Sequence, residues 1–127
     1  MRGSILMAAF MAGLRAPASA SPCETEGAAV EYAHDFVELT LWAPDSSMVA
    51  QRREWGLVDS AAAQLVTDEQ ICLKVLTALR EAGRSSGTRV AVLKMGSVYV
   101  ARLPEDLAHD FVFDAALQLK VTFRGLG

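Results

Sequence analysis

Short apolar runs set off by turn residues fill the last third of this chain, and they leave it few folds to choose from. Residues 89–94 (RVAVLK) and 98–103 (VYVARL) flank Met95-Gly96. Two β-rich runs around a glycine turn read as a hairpin, and strands joined by a tight turn are antiparallel. Pro104 closes the second run. A polar stretch over 105–109 reads as a loop, followed by Phe111-Val112-Phe113 and a turn at Asp114-Ala115-Ala116. Residues 117–123 (LQLKVTF) alternate, with Leu117, Leu119, Val121 and Phe123 on one face. That is the pattern of a strand with one face in water.

Upstream lies the clearest helix signal. Thr67 is placed to cap, and Gln70 three residues on completes a capping box. Val66 can staple to Ile71, and Asp68 and Glu69 sit at the positive end of the helix dipole. Ile71, Cys72, Val75, Leu76 and Leu79 recur at helical spacing, and Gly83 follows the last of them. Residues 34–43 (HDFVELTLWA) are rich in β-branched and aromatic side chains, with Val37, Leu39 and Leu41 on one face; they read as a strand. The alternative for 28–34 is a helical turn. Residues 44–47 (PDSS) stop that element and cap a short helix over 48–55, with Gly56 at its end; 63–66 suit a short strand. One apolar helix stripe and one set of hairpins give a two-layer α+β domain: one main helix packed on an antiparallel sheet of four to six strands.

The N-terminus reads as an export signal. Met1-Arg2 is basic, residues 4–14 (SILMAAFMAGL) carry no charge, and Ala18-Ser19-Ala20 behind Pro17 fits a signal-peptidase site. The apolar run falls well short of the roughly 20 residues that a membrane span needs. The expected organisation is a signal peptide over 1–20, an N-terminal lead over 21–34 and a single α+β domain over 35–127. The expected destination is the periplasm or the exterior, with no membrane span after cleavage. Cys23 follows Pro22, so a lipidation site does not fit. Removing the leader removes Arg2 and Arg15 and makes the net charge of −3 more negative. An acidic domain without basic clusters argues against nucleic acid as a partner. The two cysteines, Cys23 and Cys72, are the only ones in the chain. In an oxidising compartment such a pair reads as a disulfide, the alternative being a buried free thiol at Cys72.

One repeat stands out. Ala33-His34-Asp35-Phe36-Val37 recurs as Ala108-His109-Asp110-Phe111-Val112, and both histidines of the chain lie in the two copies. His34, Asp35, His109 and Asp110 are therefore candidate binding residues, since imidazole and carboxylate together suit several divalent metals. The copies meet only if their elements lie side by side, so neither a metal site nor a cofactor is expected from the pattern itself. Trp42 and Trp55, each at the end of an expected element, are candidates for a partner surface if exposed. No Gly-x-Ser-x-Gly elbow or phosphate loop occurs, and no catalytic residue is assigned.

The segment Leu65-Val66-Thr67-Asp68-Glu69 with Cys72, then Val90-Ala91-Val92, Gly96-Ser97, Tyr99-Val100 and Phe113-Asp114, resembles a layout in small uncharacterised secreted bacterial proteins. The resemblance implies a bacterial exported protein and carries no activity. The helix-on-sheet arrangement is also similar to cystatin-like modules, an analogy of shape that does not specify function. The functional expectation is a non-enzymatic binding or envelope-associated module, with an unidentified protein or small ligand as partner. The alternative is a small metal- or ligand-dependent enzyme using His34 and His109 with nearby carboxylates.

Overall fold

The computed structural model describes residues 21–42 and 63–124. Five strands form one sheet: β1 (Gln64–Leu65), β2 (Ala91–Met95), β3 (Val98–Leu103), β4 (Asp106–Phe113) and β5 (Leu119–Arg124). They lie side by side in chain order and every neighbouring pair is antiparallel. The α+β class, the main helix and the antiparallel sheet are as expected. Met95 pairs with Val98 across the first turn, where Gly96 has φ +60. A left-handed residue at the first turn position suits a type II′ hairpin, which keeps the twist of the flanking strands.

Two local departures from the expected hairpins have clear causes. β4 starts at Asp106, so most of the expected 105–109 loop is strand; Leu103 pairs with Asp106 immediately across the turn. The register then slips between Ala101 and Leu103, leaving 107–110 to bulge against Arg102. These four residues have no partner on β3, while His109 and Asp110 stay paired with Arg124 and Phe123 of β5. In β5 the register shifts between the Val112–Val121 and Phe113–Leu119 pairs. The extra residue is Lys120. A bulge of one residue sends the side chains on either side of it to opposite faces. Leu119 accordingly packs with one hydrophobic cluster, and Val121 and Phe123 pack with the other.

The main helix, α2 (Glu69–Glu81), covers one face of the sheet. Its N-cap is Asp68, one residue later than expected, and the Asp68 carboxylate accepts a hydrogen bond from the Gln70 amide at 2.9 Å. The C-terminus closes with Gly83 at φ +72. There the Arg84 amide donates to the Leu79 carbonyl at 2.8 Å and the Gly83 amide to the Arg80 carbonyl at 2.9 Å, the paired bonds of a Schellman motif. Cys72, Val75, Leu76 and Leu79 are buried against Val90, Val92, Tyr99, Ala101, Leu103, Phe111 and Phe113.

The stretch expected as a strand over 34–43 belongs instead to a helix, α1 (Ala28–Trp42), which covers the opposite face. Ala29, Ala33, Phe36 and Val37 are buried, while Glu31, His34, Asp35 and Glu38 are exposed. That spacing is helical, and it extends further back than the alternation over 34–43 suggests. Ala33, Phe36 and Val37 pack on Leu93, Met95, Val98, Val100 and Val112, and the Phe36 ring lies 5.2 Å from Phe123. α1 crosses the 34/35 position expected to separate lead from domain. The short helix expected over 48–55 lies outside the described residues.

Residues 22–24 run along β2 as a strap. The Val90 amide donates to the Pro22 carbonyl and the Glu24 amide to the Val90 carbonyl, each at 2.9 Å. Between them Cys23 is joined to Cys72 of α2, with Cα atoms 5.4 Å apart and both residues buried. The expected disulfide is therefore present. It links positions 49 residues apart, which in the chain-entropy model stabilises by about 3–4 kcal/mol. A Cys23→Ser/Cys72→Ala variant is expected to lose about that much in urea denaturation, and reductant is expected to bring the native protein down by a similar amount.

Helical packing at 33–37 has its own test. Phe36→Ala is expected to cost about 3–5 kcal/mol, and His34→Ala less than about 0.5 kcal/mol. Equal costs in thermal or chemical unfolding would contradict the helical face.

Candidate functional site

β3 is buried along its whole length, and one of its residues is an arginine. Arg102 is 1% exposed and Asp110 of β4 is 0% exposed. An unpaired charge at such a depth is prohibitively costly, so the site is built around satisfying the guanidinium. Its Nε donates to Asp110 Oδ1 at 2.8 Å and its Nη2 donates to Asp110 Oδ2, a two-pronged pair. Its Nη1 donates to the Leu107 carbonyl, which the bulge in β4 has turned away from regular pairing. The Tyr32 ring of α1 lies 5.2 Å from the guanidinium carbon. Arg102 thus ties β3, the β4 bulge and α1 together.

Next to it along β4, alternation sends His109 to the α2 face. His109 Nδ1 lies 3.0 and 3.1 Å from the two carboxylate oxygens of Asp106, and its ring centroid is 6.4 Å from that of Phe111. The His109 and Asp106 side chains are each 27% exposed. The Ala108 amide also donates to Asp106, at 3.2 Å. Arg84, just past the C-terminus of α2, stacks over Phe111 at 5.6 Å. Ser85 Oγ and the Gly87 amide both donate to Glu105, at 3.0 and 3.1 Å. The loop after α2 and the β3–β4 turn therefore meet in one polar cluster: Arg84, Ser85, Glu105, Asp106 and His109.

The two buried-side carboxylates titrate in opposite directions. Burial pushes Asp110 up to about 6, against the hydrogen bond and charge of Arg102. Burial also raises Asp106, but its hydrogen bonds from His109 and the Ala108 amide, with the electrostatics of His109 and Arg84, outweigh that and hold it below the usual carboxylate range.

The candidates from the repeat are dispersed. His34 and Asp35 are exposed on α1, His109 is half-buried on the α2 side of β4, and Asp110 is buried on the α1 side. Among the described residues no group of three or more His, Cys, Asp or Glu side chains is placed to hold a metal ion. Trp42 ends α1, and Trp55 lies outside the described residues. Sequence reasoning assigned no role to Arg102 or Arg84 and read the Glu105-Asp106 carboxylate pair as a surface loop. An arginine inside the apolar run VYVARL was a usable signal, because it demands a buried acceptor. Nothing in the sequence pointed to Asp106 as the partner of His109 in preference to Asp110.

No protein-family model matches this chain, and it matches no curated protein and no solved structure.

A pH titration of stability separates the two carboxylates. The pKa of Asp110 is higher folded than unfolded, so the folded state holds the extra proton between about pH 4 and 6. Stability is expected to fall as pH rises through that window, by on the order of 3 kcal/mol, and then level off. The depressed Asp106 acts the other way, and its contribution is lost only as pH drops through the ordinary carboxylate range and below. Urea midpoints measured from pH 3.5 to 7 should show the decline, and Asp110→Asn should flatten it.

Proposed function

We propose that this chain is exported, loses residues 1–20, and acts outside the cytoplasm as a disulfide-stapled binding or envelope-associated module. The observation that carries the reading is the Cys23–Cys72 bond. It engages the third residue after the expected cleavage point and seals it against the main helix, so the fold draws part of its stability from an oxidising compartment. The acidic balance of the mature chain and the signal-like leader support the same destination. No described helix is long and apolar enough to cross a membrane.

Binding is favoured over catalysis by how the ionisable groups are used. Both oxygens of Asp110 are committed to Arg102, and Asp106 holds the Nδ1 side of His109. The polar cluster around Arg84, Glu105 and His109 offers both charge signs on a half-exposed surface. That composition suits recognition of a polar protein or ligand group.

The test is expression of the full chain with its own leader in a bacterium, followed by fractionation and intact-mass measurement. The expected product is extracytoplasmic, begins at Ser21 and is lighter than the reduced chain by two hydrogens. An uncut chain with free thiols in the cytoplasm would overturn the reading.

A further inference from the structure

The α2 face of the sheet gathers cationic side chains that lie far apart in the sequence. His109 pairs with Arg124 across β4 and β5, and Phe111 pairs with Thr122 next to them. Residues directly opposite in an antiparallel pair share a face, with Cβ atoms about 4.5–5.5 Å apart. Arg124 therefore stands beside His109. Arg84 comes to the same place from the end of α2, its guanidinium 5.6 Å from the centre of the Phe111 ring.

What these groups have left to offer decides the ligand. Asp106 takes His109 Nδ1 and the Ala108 amide, and Glu105 takes the Ser85 hydroxyl and the Gly87 amide. Both carboxylates are thus occupied from within. Arg84 and Arg124 are exposed, and neither enters an ion pair or a side-chain hydrogen bond among the described residues. Stacking on Phe111 uses the face of the Arg84 guanidinium and leaves its N–H edges for a ligand. The Ala78, Leu79 and Arg80 carbonyls at the end of α2 accept capping amides, which offsets the negative end of the helix dipole beside the site. The surplus is two N–H forks and the Nε2 of His109.

We propose that Arg84, His109 and Arg124 bind the terminal phosphate of a phosphate monoester. Two guanidinium forks suit a doubly charged oxyanion. Near neutral pH a phosphate monoester still carries a proton part of the time, whereas a carboxylate has lost its own. A neutral His109 can accept a hydrogen bond from that proton, and a protonated one can donate to a phosphate oxygen. The acidic balance of the rest of the chain turns away a polyanion, so the ligand is small. The inference rests on the reading of this cluster as a recognition surface and is independent of export.

Two-dimensional NMR of the oxidised protein, titrated with inorganic phosphate at constant ionic strength, tests it. The expected result is saturable shifts at the His109 ring and the Arg84 and Arg124 side chains, with a Kd on the order of millimolar. Methyl phosphate should bind alike, and dimethyl phosphate and acetate about tenfold more weakly. Arg124→Ala is expected to weaken phosphate by about tenfold, and so is Arg84→Lys, which keeps Phe111 covered but loses the fork. Lys94→Ala, toward the other end of the sheet, should change nothing. If acetate saturates the same resonances and phosphate shifts none, the phosphate assignment is overturned and the recognition surface stands. If neither binds, both are overturned. Dimethyl phosphate binding as tightly as phosphate overturns the monoester. A loss in Lys94→Ala equal to that in Arg124→Ala marks general ion screening and overturns the site.

Discussion

Burial of the central strands on both faces is the constraint from which the rest of the structure follows. β3 has no exposed residue, and β2 exposes only Lys94. A strand in that position needs cover above and below. α2 supplies one cover and α1 the other, each through a stripe at helical spacing. β1 is only two residues long, so beyond Val66 the strap of residues 22–24 takes over the same edge of β2. The strap belongs to the sheet as much as to the N-terminus. The two β-bulges follow from the same constraint. One makes room for the Arg102 guanidinium, and the other divides the apolar residues of β5 between the two cores.

A polar side chain in a doubly covered strand cannot reach water, so it dictates its surroundings. Arg102 draws Asp110, the Leu107 carbonyl and the Tyr32 ring to itself. A buried pair of this kind contributes little net stability compared with apolar residues of the same volume, yet breaking it by removing one partner is severe. Its value lies in fixing register. Only one alignment of β4 against β3 brings Asp110 to Arg102, and only one placement of α1 brings Tyr32 over it. The same alignment fixes His109 on the α2 side, where Asp106 and Arg84 lie. The half-exposed cluster is thus held in place by the buried pair behind it.

The hairpins and α2 were legible in the sequence because their signals are local: a glycine turn between apolar runs, capping residues, a helical stripe. α1 was not, because local signals there conflict. Phe36, Val37, Thr40 and Trp42 all favour strands, and the alternation over 37–41 agrees with them. The deciding information was elsewhere. RVAVLK and VYVARL are nearly continuous apolar runs, the mark of strands buried on both faces, and a second cover had to come from somewhere. Residues 28–42 were the stretch able to provide it. The pentapeptide Ala-His-Asp-Phe-Val makes the same point within one molecule. At 33–37 it is helix, with Ala33, Phe36 and Val37 inward and His34 and Asp35 in water; at 108–112 it is strand, with Asp110, Phe111 and Val112 all buried. Five residues carry no decision between the two states when each state buries the Phe and the Val. The partners available on either side decide it, and with it the exposure of the histidine and the fate of the aspartate.

The disulfide joins location to shape. Without the Cys23–Cys72 bond the strap keeps its two hydrogen bonds to Val90 and the Arg89 contacts with Glu24 and the Cys23 carbonyl. Those contacts are local and partly exposed, and exposed ion pairs are worth little. Covalent attachment to α2 is what fixes Pro22 beside Leu73. The bond therefore does for the strap what apolar packing does for the two helices: it fastens an element with little buried surface of its own to the layer that covers the sheet.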